Sequence, residues 1–288
     1  MLNNTMNRTS LAAAVAFFSL AILAAPAGFA QSTTAAPAER KTQWNGYDQL
    51  HFQVAERDAY VVVPKQAAPG NPWVWRARFP GYHAEADIQL VAKGFHIGYV
   101  DVAGMFGSPK AIEIGNQFYR EMTEKRGLAK RVALEAVSRG GLFAYNWAAV
   151  NLDRVACIYC DTPVCDFKSW PGGMGEGVGS AATWQSCLAQ YGFDEKQAAA
   201  FKGNPIDHAK KIAAAKIPLL HIVSENDRVV PPKENTYLLR ERLQAAGHDM
   251  EVISVPMGTE KSSGHHFPHP AVDQVVQFIQ QHAAVEAK

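Results

Sequence analysis

Ser138, Asp227 and His265 are the residues of this chain whose types and order could make a nucleophile at neutral pH. A serine hydroxyl attacks poorly unless a base takes its proton. The base in turn needs a carboxylate that holds its tautomer and stabilises the imidazolium. Ser138 lies in Ala133-Leu134-Glu135-Ala136-Val137-Ser138-Arg139-Gly140-Gly141-Leu142. The stretch reads as a buried strand, a lone serine and a glycine pair opening a helix. A sharp turn there would raise the hydroxyl above the sheet edge and demand small neighbours, the logic of G-x-S-x-G. Ala136 stands where that pattern has its first glycine, and Gly140 fills the second place. The plain alternative is a strand-to-helix turn with a capping serine.

The acid and the base must come from later strand ends. Asp227 stands in Val223-Ser224-Glu225-Asn226-Asp227-Arg228-Val229-Val230-Pro231, just after the strand expected over 217–224. Glu225 and Asn226 are its neighbours, and Asn226 cannot carry the charge. Asp161, at an earlier strand end, is a rival for the acid or a residue that holds the loop beyond it. The base falls in the loop 258–269, which carries His265, His266 and His269. Gly264-His265 makes His265 the choice, with His266 as the alternative base. The histidines have no Asp or Glu beside them at zinc-site spacing, so no metal and no cofactor is expected. A histidine that must accept a proton works only when neutral, so turnover should fall on acidification.

A tetrahedral intermediate needs backbone donors for its oxyanion. One is the N–H of Arg139, directly after Ser138. The other belongs to the loop after the strand expected over 73–79. Pro80 has no N–H, so Phe79 is the expected donor, with Gly81 or Tyr82 as alternatives. Tyr82, His83, Phe106, Trp170 and Trp184 are candidate walls of a substrate pocket. The two tryptophans could equally pin down the glycine-rich loop they bracket.

These residues need elements to hold them. Strand-like and helix-like stretches alternate: strands at 60–63, 73–79, 95–100, 132–137, 155–160, 217–224 and 250–255, and helices at 84–93, 109–126, 139–150, 232–246 and 270–282. That rhythm implies an α/β fold, a mainly parallel twisted sheet with helices on both faces. It breaks at 163–215, where Gly172, Gly173, Gly175, Gly177 and Gly179 crowd one loop. This reads as a glycine-rich insertion after the sixth strand, at the carboxyl end of the sheet where such folds carry their sites.

The first thirty residues stand apart. Arg8 is followed by the apolar run Leu11 to Ala25 and by small residues up to Ala30, the pattern of a signal peptide over 1–30. Residues 31–43 are rich in Ala, Thr and Pro and are expected to be a disordered lead-in, leaving 44–288 as one domain. A periplasmic or secreted protein follows, with no stable membrane insertion after cleavage. The formal charge of the 288 residues is +1, with no basic stripe, which argues against a nucleic-acid partner. Cys157 and Cys160 are three apart on a strand and would face opposite sides, against a redox or zinc pair. Cys165 and Cys187 flank the glycine-rich loop, and in an oxidising compartment are expected to form a disulfide.

The elbow around Ser138, the Asp227-Arg228-Val229-Val230-Pro231 stretch and the Gly264-His265 step resemble, in that chain order, the α/β-hydrolase fold superfamily. Within it the chain looks most like secreted bacterial serine esterases near the prolyl-oligopeptidase and acetyl-xylan-esterase branch. The resemblance covers about 45–285 and implies a Ser138–Asp227–His265 triad. It implies an exported carboxylic ester hydrolase working through an acyl-enzyme, on an acylated carbohydrate or a small aromatic ester. A peptidase, lactonase or acyltransferase on the same fold is the alternative. A non-catalytic binding protein on a hydrolase scaffold is another.

Overall fold

A computed structural model describes residues 39–284. The signal-peptide reading falls outside them. The lead-in expected over 31–43 does not extend to its stated end, because the first strand begins at Arg40.

Nine strands form one sheet: β1 (Arg40–Trp44), β2 (Tyr47–Val54), β3 (Arg57–Val63), β4 (Trp73–Arg76), β5 (His96–Val100), β6 (Val132–Val137), β7 (Val155–Asp161), β8 (Leu219–Ser224) and β9 (Glu251–Val255). Their spatial order is β1-β2-β3-β5-β4-β6-β7-β8-β9. The first three form an antiparallel meander, and β3 joins β5 antiparallel. Every pair from β5 to β9 is parallel. The sheet is therefore mixed but mainly parallel, as expected. Strand β4 stops three residues short of the sequence expectation because the chain turns at Phe79, whose φ is +51°. All residues of β4, β6, β7 and β8 are buried, which is why they read as unbroken apolar runs.

Alternation along those strands feeds two cores. On one face Trp75, Leu134 and Ile158 pack with α2 (Pro109–Arg120), α3 (Gly140–Ala148), α6 (Ala209–Ala214) and α7 (Thr236–Gln244). On the other Val74, Ala133 and Cys157 pack with α1 (Glu85–Ala92) and α8 (Val272–Ala283). Cys160 faces the first core and Cys157 the second, so they are small buried side chains on opposite sides of the sheet.

The glycine-rich insertion leaves the sheet after β7 and returns at β8. It thus follows the seventh strand rather than the sixth: five of the strands before it, β3 to β7, stand where the sequence places them, and β1 and β2 are two that it did not announce. It carries α4 (Ala181–Tyr191) and α5 (Glu195–Ala200) and has its own core of Phe167, Trp184, Cys187, Leu188 and Ala198. The disulfide expected between Cys165 and Cys187 is not formed; both are buried free thiols. Cys165 packs in the main core and Cys187 in the insertion's core, so they serve separate apolar clusters. Polar contacts tether the insertion instead. The Asn235 carboxamide accepts from the N–H of Cys165 at 2.8 Å and donates to Ser169 Oγ and to the Pro231 carbonyl, each at 3.0 Å. The Val178 N–H donates to the Arg228 carbonyl at 3.0 Å, so the glycine-rich loop lies along the segment that follows Asp227.

Candidate active site

Strand β6 ends at Val137, and the next residue, Ser138, has φ +51°. A side chain is strained there, and the surroundings hold it in place. The Ser138 N–H donates to the Asp161 carbonyl at 2.9 Å, and its own carbonyl accepts from Gly141 and Val164 at 3.0 and 2.9 Å. Helix α3 starts at once. Gly140 must be small: a Cβ there would lie 2.9 Å from Arg78 Cβ and 3.5 Å from Ala136 Cβ. The last distance explains why alanine serves at position 136. It is an ordinary van der Waals contact, so the Ala136 methyl does not crowd the elbow; the clash that keeps Gly140 small is with Arg78.

The loops after β8 and β9 bring the other two residues to Ser138. His265 Nε2 is 3.0 Å from Ser138 Oγ, and His265 Nδ1 is 2.6 Å from Asp227 Oδ2. The other Asp227 oxygen accepts from the N–H groups of Val229 and Val230 at 2.8 and 2.9 Å, which fixes the carboxylate. His265 and Asp227 are buried. Asn226 joins the two loops: its Oδ1 accepts from the Gly258 N–H at 2.7 Å, and its backbone presses on Gly264. Gly264 has φ +85°, and a Cβ on it would come within 2.2 Å of the Asn226 carbonyl oxygen. Only glycine permits that approach, which seats His265 against Asp227. The alternative base, His266, is exposed, with its ring beside Tyr82 and His265.

The N–H groups of Phe79 and Arg139, expected as oxyanion donors, make no hydrogen bond to any described residue. Phe79 shares the positive φ of Ser138, a rare conformation for a bulky residue. A fully buried arginine sets it. The Arg76 guanidinium donates to the Phe79 carbonyl at 2.9 Å and also to the Tyr82 carbonyl. Arg76 is paired with Glu135 and lies 3.3 Å from Asp87. Burial works against its charge, but the acids around it hold the guanidinium above its ordinary value. Burial also pushes the Glu135 carboxyl well above the usual carboxylate range.

His83, expected as a pocket wall, is buried and does structural duty instead. Its Nδ1 is 3.0 Å from Asp161 Oδ2 and its Nε2 is 2.8 Å from the Phe267 carbonyl. Both ring nitrogens face acceptors, an arrangement that suits the imidazolium. Burial lowers its affinity for the proton, but Asp161 and the Phe267 carbonyl outweigh that and raise it above the ordinary value. Asp161 thus belongs to His83 and to the Tyr159 hydroxyl, which donates to it at 2.9 Å, and is not within the Ser138 series. His269 Nε2 is 3.1 Å from the same hydroxyl. The histidines of this loop therefore have separate partners, and no group of three His, Cys, Asp or Glu among the described residues is arranged to hold a metal. Trp184 is likewise committed, with Nε1 donating to Glu195 at 2.8 Å inside the insertion. Trp170 and Tyr82 do border the site: the Trp170 ring lies 5.0 Å from the Arg139 guanidinium carbon, and the Tyr82 ring 5.4 Å from that of His266.

No family model and no curated protein sequence matches the chain. Solved structures do resemble it. An acylaminoacyl peptidase from Pyrococcus horikoshii superposes with a TM-score of 0.62 at 15% identity, over 89% of this chain and 43% of that one. A puromycin-hydrolyzing peptidase from Mycobacterium tuberculosis gives 0.61 at 16% identity, over 86% and 40%. This chain has the α/β-hydrolase fold. A thermostable esterase from Pseudomonas putida matches at 0.57 and 19% identity, over 86% of this chain and 83% of that one. The chain thus spans less than half the length of the two peptidases and most of the length of the esterase.

Proposed function

We propose that the chain is a serine hydrolase that cleaves carboxylic esters through an acyl-enzyme. The observation that carries this is the continuous series Asp227 Oδ2, His265, Ser138 Oγ, set beside two unengaged backbone N–H groups. Ser138 Oγ attacks the ester carbonyl carbon as its proton passes to His265 Nε2. Asp227 accepts from the Nδ1–H and stabilises the imidazolium. The oxyanion is received by the Phe79 and Arg139 N–H groups. His265 then gives its proton to the departing alkoxide, and a water repeats the sequence on the acyl-enzyme. None of these steps calls on a metal, so EDTA should leave turnover unchanged.

The similarity to an esterase over most of both chains supports ester cleavage. The likeness to two peptidases supports a second reading, cleavage of a peptide bond. The apolar run after Arg8 supports export to the periplasm or beyond. A fluorophosphonate probe should label Ser138 and fail on Ser138→Ala, whose turnover should drop at least about 10⁴-fold in a folded protein. Full activity in that variant would overturn the reading. Faster release from an aminoacyl p-nitroanilide than from p-nitrophenyl butyrate would move it from esterase to peptidase.

A further inference from the structure

The structure holds a second aspartate–histidine pair, Asp161–His83, besides Asp227–His265. Asp161 ends β7, and its backbone carbonyl accepts from the Ser138 N–H at 2.9 Å. Its side chain reaches the loop that carries the base by two routes. One Asp161 oxygen lies 3.0 Å from His83 Nδ1, and His83 Nε2 lies 2.8 Å from the Phe267 carbonyl. The other oxygen accepts from the Tyr159 hydroxyl at 2.9 Å, and that hydroxyl lies 3.1 Å from His269 Nε2. His269 Nδ1 accepts from the Ala271 N–H at 3.1 Å, so Nε2 carries the proton and donates to Tyr159. Phe267 and His269 follow His265 closely in the chain. The base loop is thus tied twice to the residue that also holds the Ser138 backbone.

The two ties differ in kind. Burial pushes the Tyr159 hydroxyl well above its ordinary value, so that tie keeps its proton. The His83 tie needs both ring nitrogens to donate, and only the imidazolium does that. Asp161 holds the Nδ1 proton, so the proton that leaves is the one on Nε2. A lone pair then faces the Phe267 carbonyl, which is left with the Tyr82 hydroxyl at 3.5 Å. The charged and titratable groups around the ring are Asp161 and Tyr159 of β7, Tyr82 beside it, Glu85 of α1, and His266 and His269 of the base loop, while Arg76 of β4 holds the Tyr82 carbonyl. Burial works against the charge, but Asp161, the Phe267 carbonyl and Glu85 outweigh it, so His83 gives up its proton above the ordinary histidine value.

We propose that His83 is a positioning residue for the reaction: as an imidazolium it holds the loop that seats His265 at Ser138, and turnover falls when that proton is lost. The proposal rests on the serine-hydrolase reading and adds an alkaline limit to it. The acid limb belongs to His265, which must be neutral to accept the Ser138 proton, and the alkaline limb to His83. The Tyr159 tie persists at high pH, so the loop loosens without leaving the site, and the loss is in kcat rather than KM.

The test is kcat and KM for p-nitrophenyl butyrate from about pH 5 to about pH 9.5, with tryptophan fluorescence at each pH to show that the protein is folded. The unmodified protein should give a bell whose alkaline limb lies in kcat. In His83→Gln the kcat at the optimum should fall about tenfold with KM unchanged, and the alkaline limb should vanish. In Asp161→Asn the limb should survive but move down by about one pH unit, because the imidazolium has lost its charge partner. A merely structural role would lower kcat by one factor at every pH and move no limb. A profile level from neutrality to about pH 9.5 in the unmodified protein, a limb that persists in a folded His83→Gln, or a limb unmoved in Asp161→Asn would overturn the proposal. Should His83→Gln not fold, the limb of Asp161→Asn decides. Fluorophosphonate labelling of the same samples separates the two readings. Labelling of Ser138 without an alkaline limb leaves the serine hydrolase standing, and no labelling at all overturns both.

Discussion

At the scale of single residues, the loops that carry the site are built on strained backbone. Ser138, Phe79, His83 and Ser263 all have positive φ in loops that converge at the carboxyl ends of the parallel strands. Ser138, Asp227 and His265 were legible in the sequence because each follows an expected strand and their chain order is constrained. The residues that position them were not. Arg76 matters because it meets two carbonyls of the Phe79 loop, and Asn226 because it joins the loops after β8 and β9. A sequence shows a buried arginine or a loop asparagine, not the carbonyl it will meet. His83 was misread for the same reason: beside a tyrosine it looked like a pocket wall, while its partners Asp161 and Phe267 are remote in sequence. The two aspartates of the region should therefore respond differently. Asp227→Asn leaves the fold but deprives His265 of its charge partner, and kcat should fall about 10⁴-fold. Asp161→Asn removes the charge beside His83, and its first effect should be on thermal unfolding, with a smaller loss of kcat. Steady-state kinetics and melting curves on both variants check this. Equal kcat losses would mean that the acid has been assigned to the wrong strand end.

At the scale of elements, the parallel strands and their helices were readable because the strands are apolar runs and the helices carry apolar side chains into the two cores. Helix α2 begins with Ser108 accepting from the Ala111 N–H and Pro109 in its first turn. The first two strands of the N-terminal meander escaped notice although Asn45-Gly46 is a strong hairpin signal, both residues having positive φ. Strand β1, Arg-Lys-Thr-Gln-Trp, is too polar and exposed to show an apolar face. The elbow supplies the sharpest prediction at this scale. Glycine to alanine inside the first turn of a helix ordinarily stabilises by up to about 1 kcal/mol. At Gly140 the added methyl would lie 2.9 Å from Arg78 Cβ, an atom the backbone holds in place. Gly140→Ala should therefore destabilise by about 1–3 kcal/mol and lower kcat by displacing Phe79. Chemical unfolding and ester turnover on one preparation would show both, and a more stable, fully active variant would contradict the packing. The insertion makes the opposite kind of prediction. Its cysteines lie in separate cores, so dithiothreitol should leave the melting temperature unchanged. Alkylation after unfolding should count all four thiols as free.

At the scale of the whole molecule, two buried histidines tie stability to pH with opposite signs. His221 lies in β8 with one ring nitrogen 2.7 Å from the Tyr145 hydroxyl and the other 2.9 Å from Thr236 Oγ1. Burial pushes its pKa down to about 3. Below about pH 6.5 the unfolded chain takes up a proton at this residue that the folded chain refuses. Each pH unit down from there should cost about 1.4 kcal/mol through this group, until the folded histidine also titrates. His83 runs the other way. Its folded pKa is raised, so its contribution is complete below the unfolded value and is lost as pH rises through the folded one. The bond to lose is the one to the Phe267 carbonyl, in the loop that carries His265. These two groups by themselves give a stability maximum near neutral pH, His221 setting the fall on the acid side and His83 the fall on the alkaline side. Unfolding free energies measured across pH should show the acid limb flattened in His221→Asn and the alkaline limb flattened in His83→Gln. A steep acid limb that survives in a folded His221→Asn would place the refused proton on another group. An unchanged alkaline limb in His83→Gln would mean that His83 is already neutral where the protein is most stable.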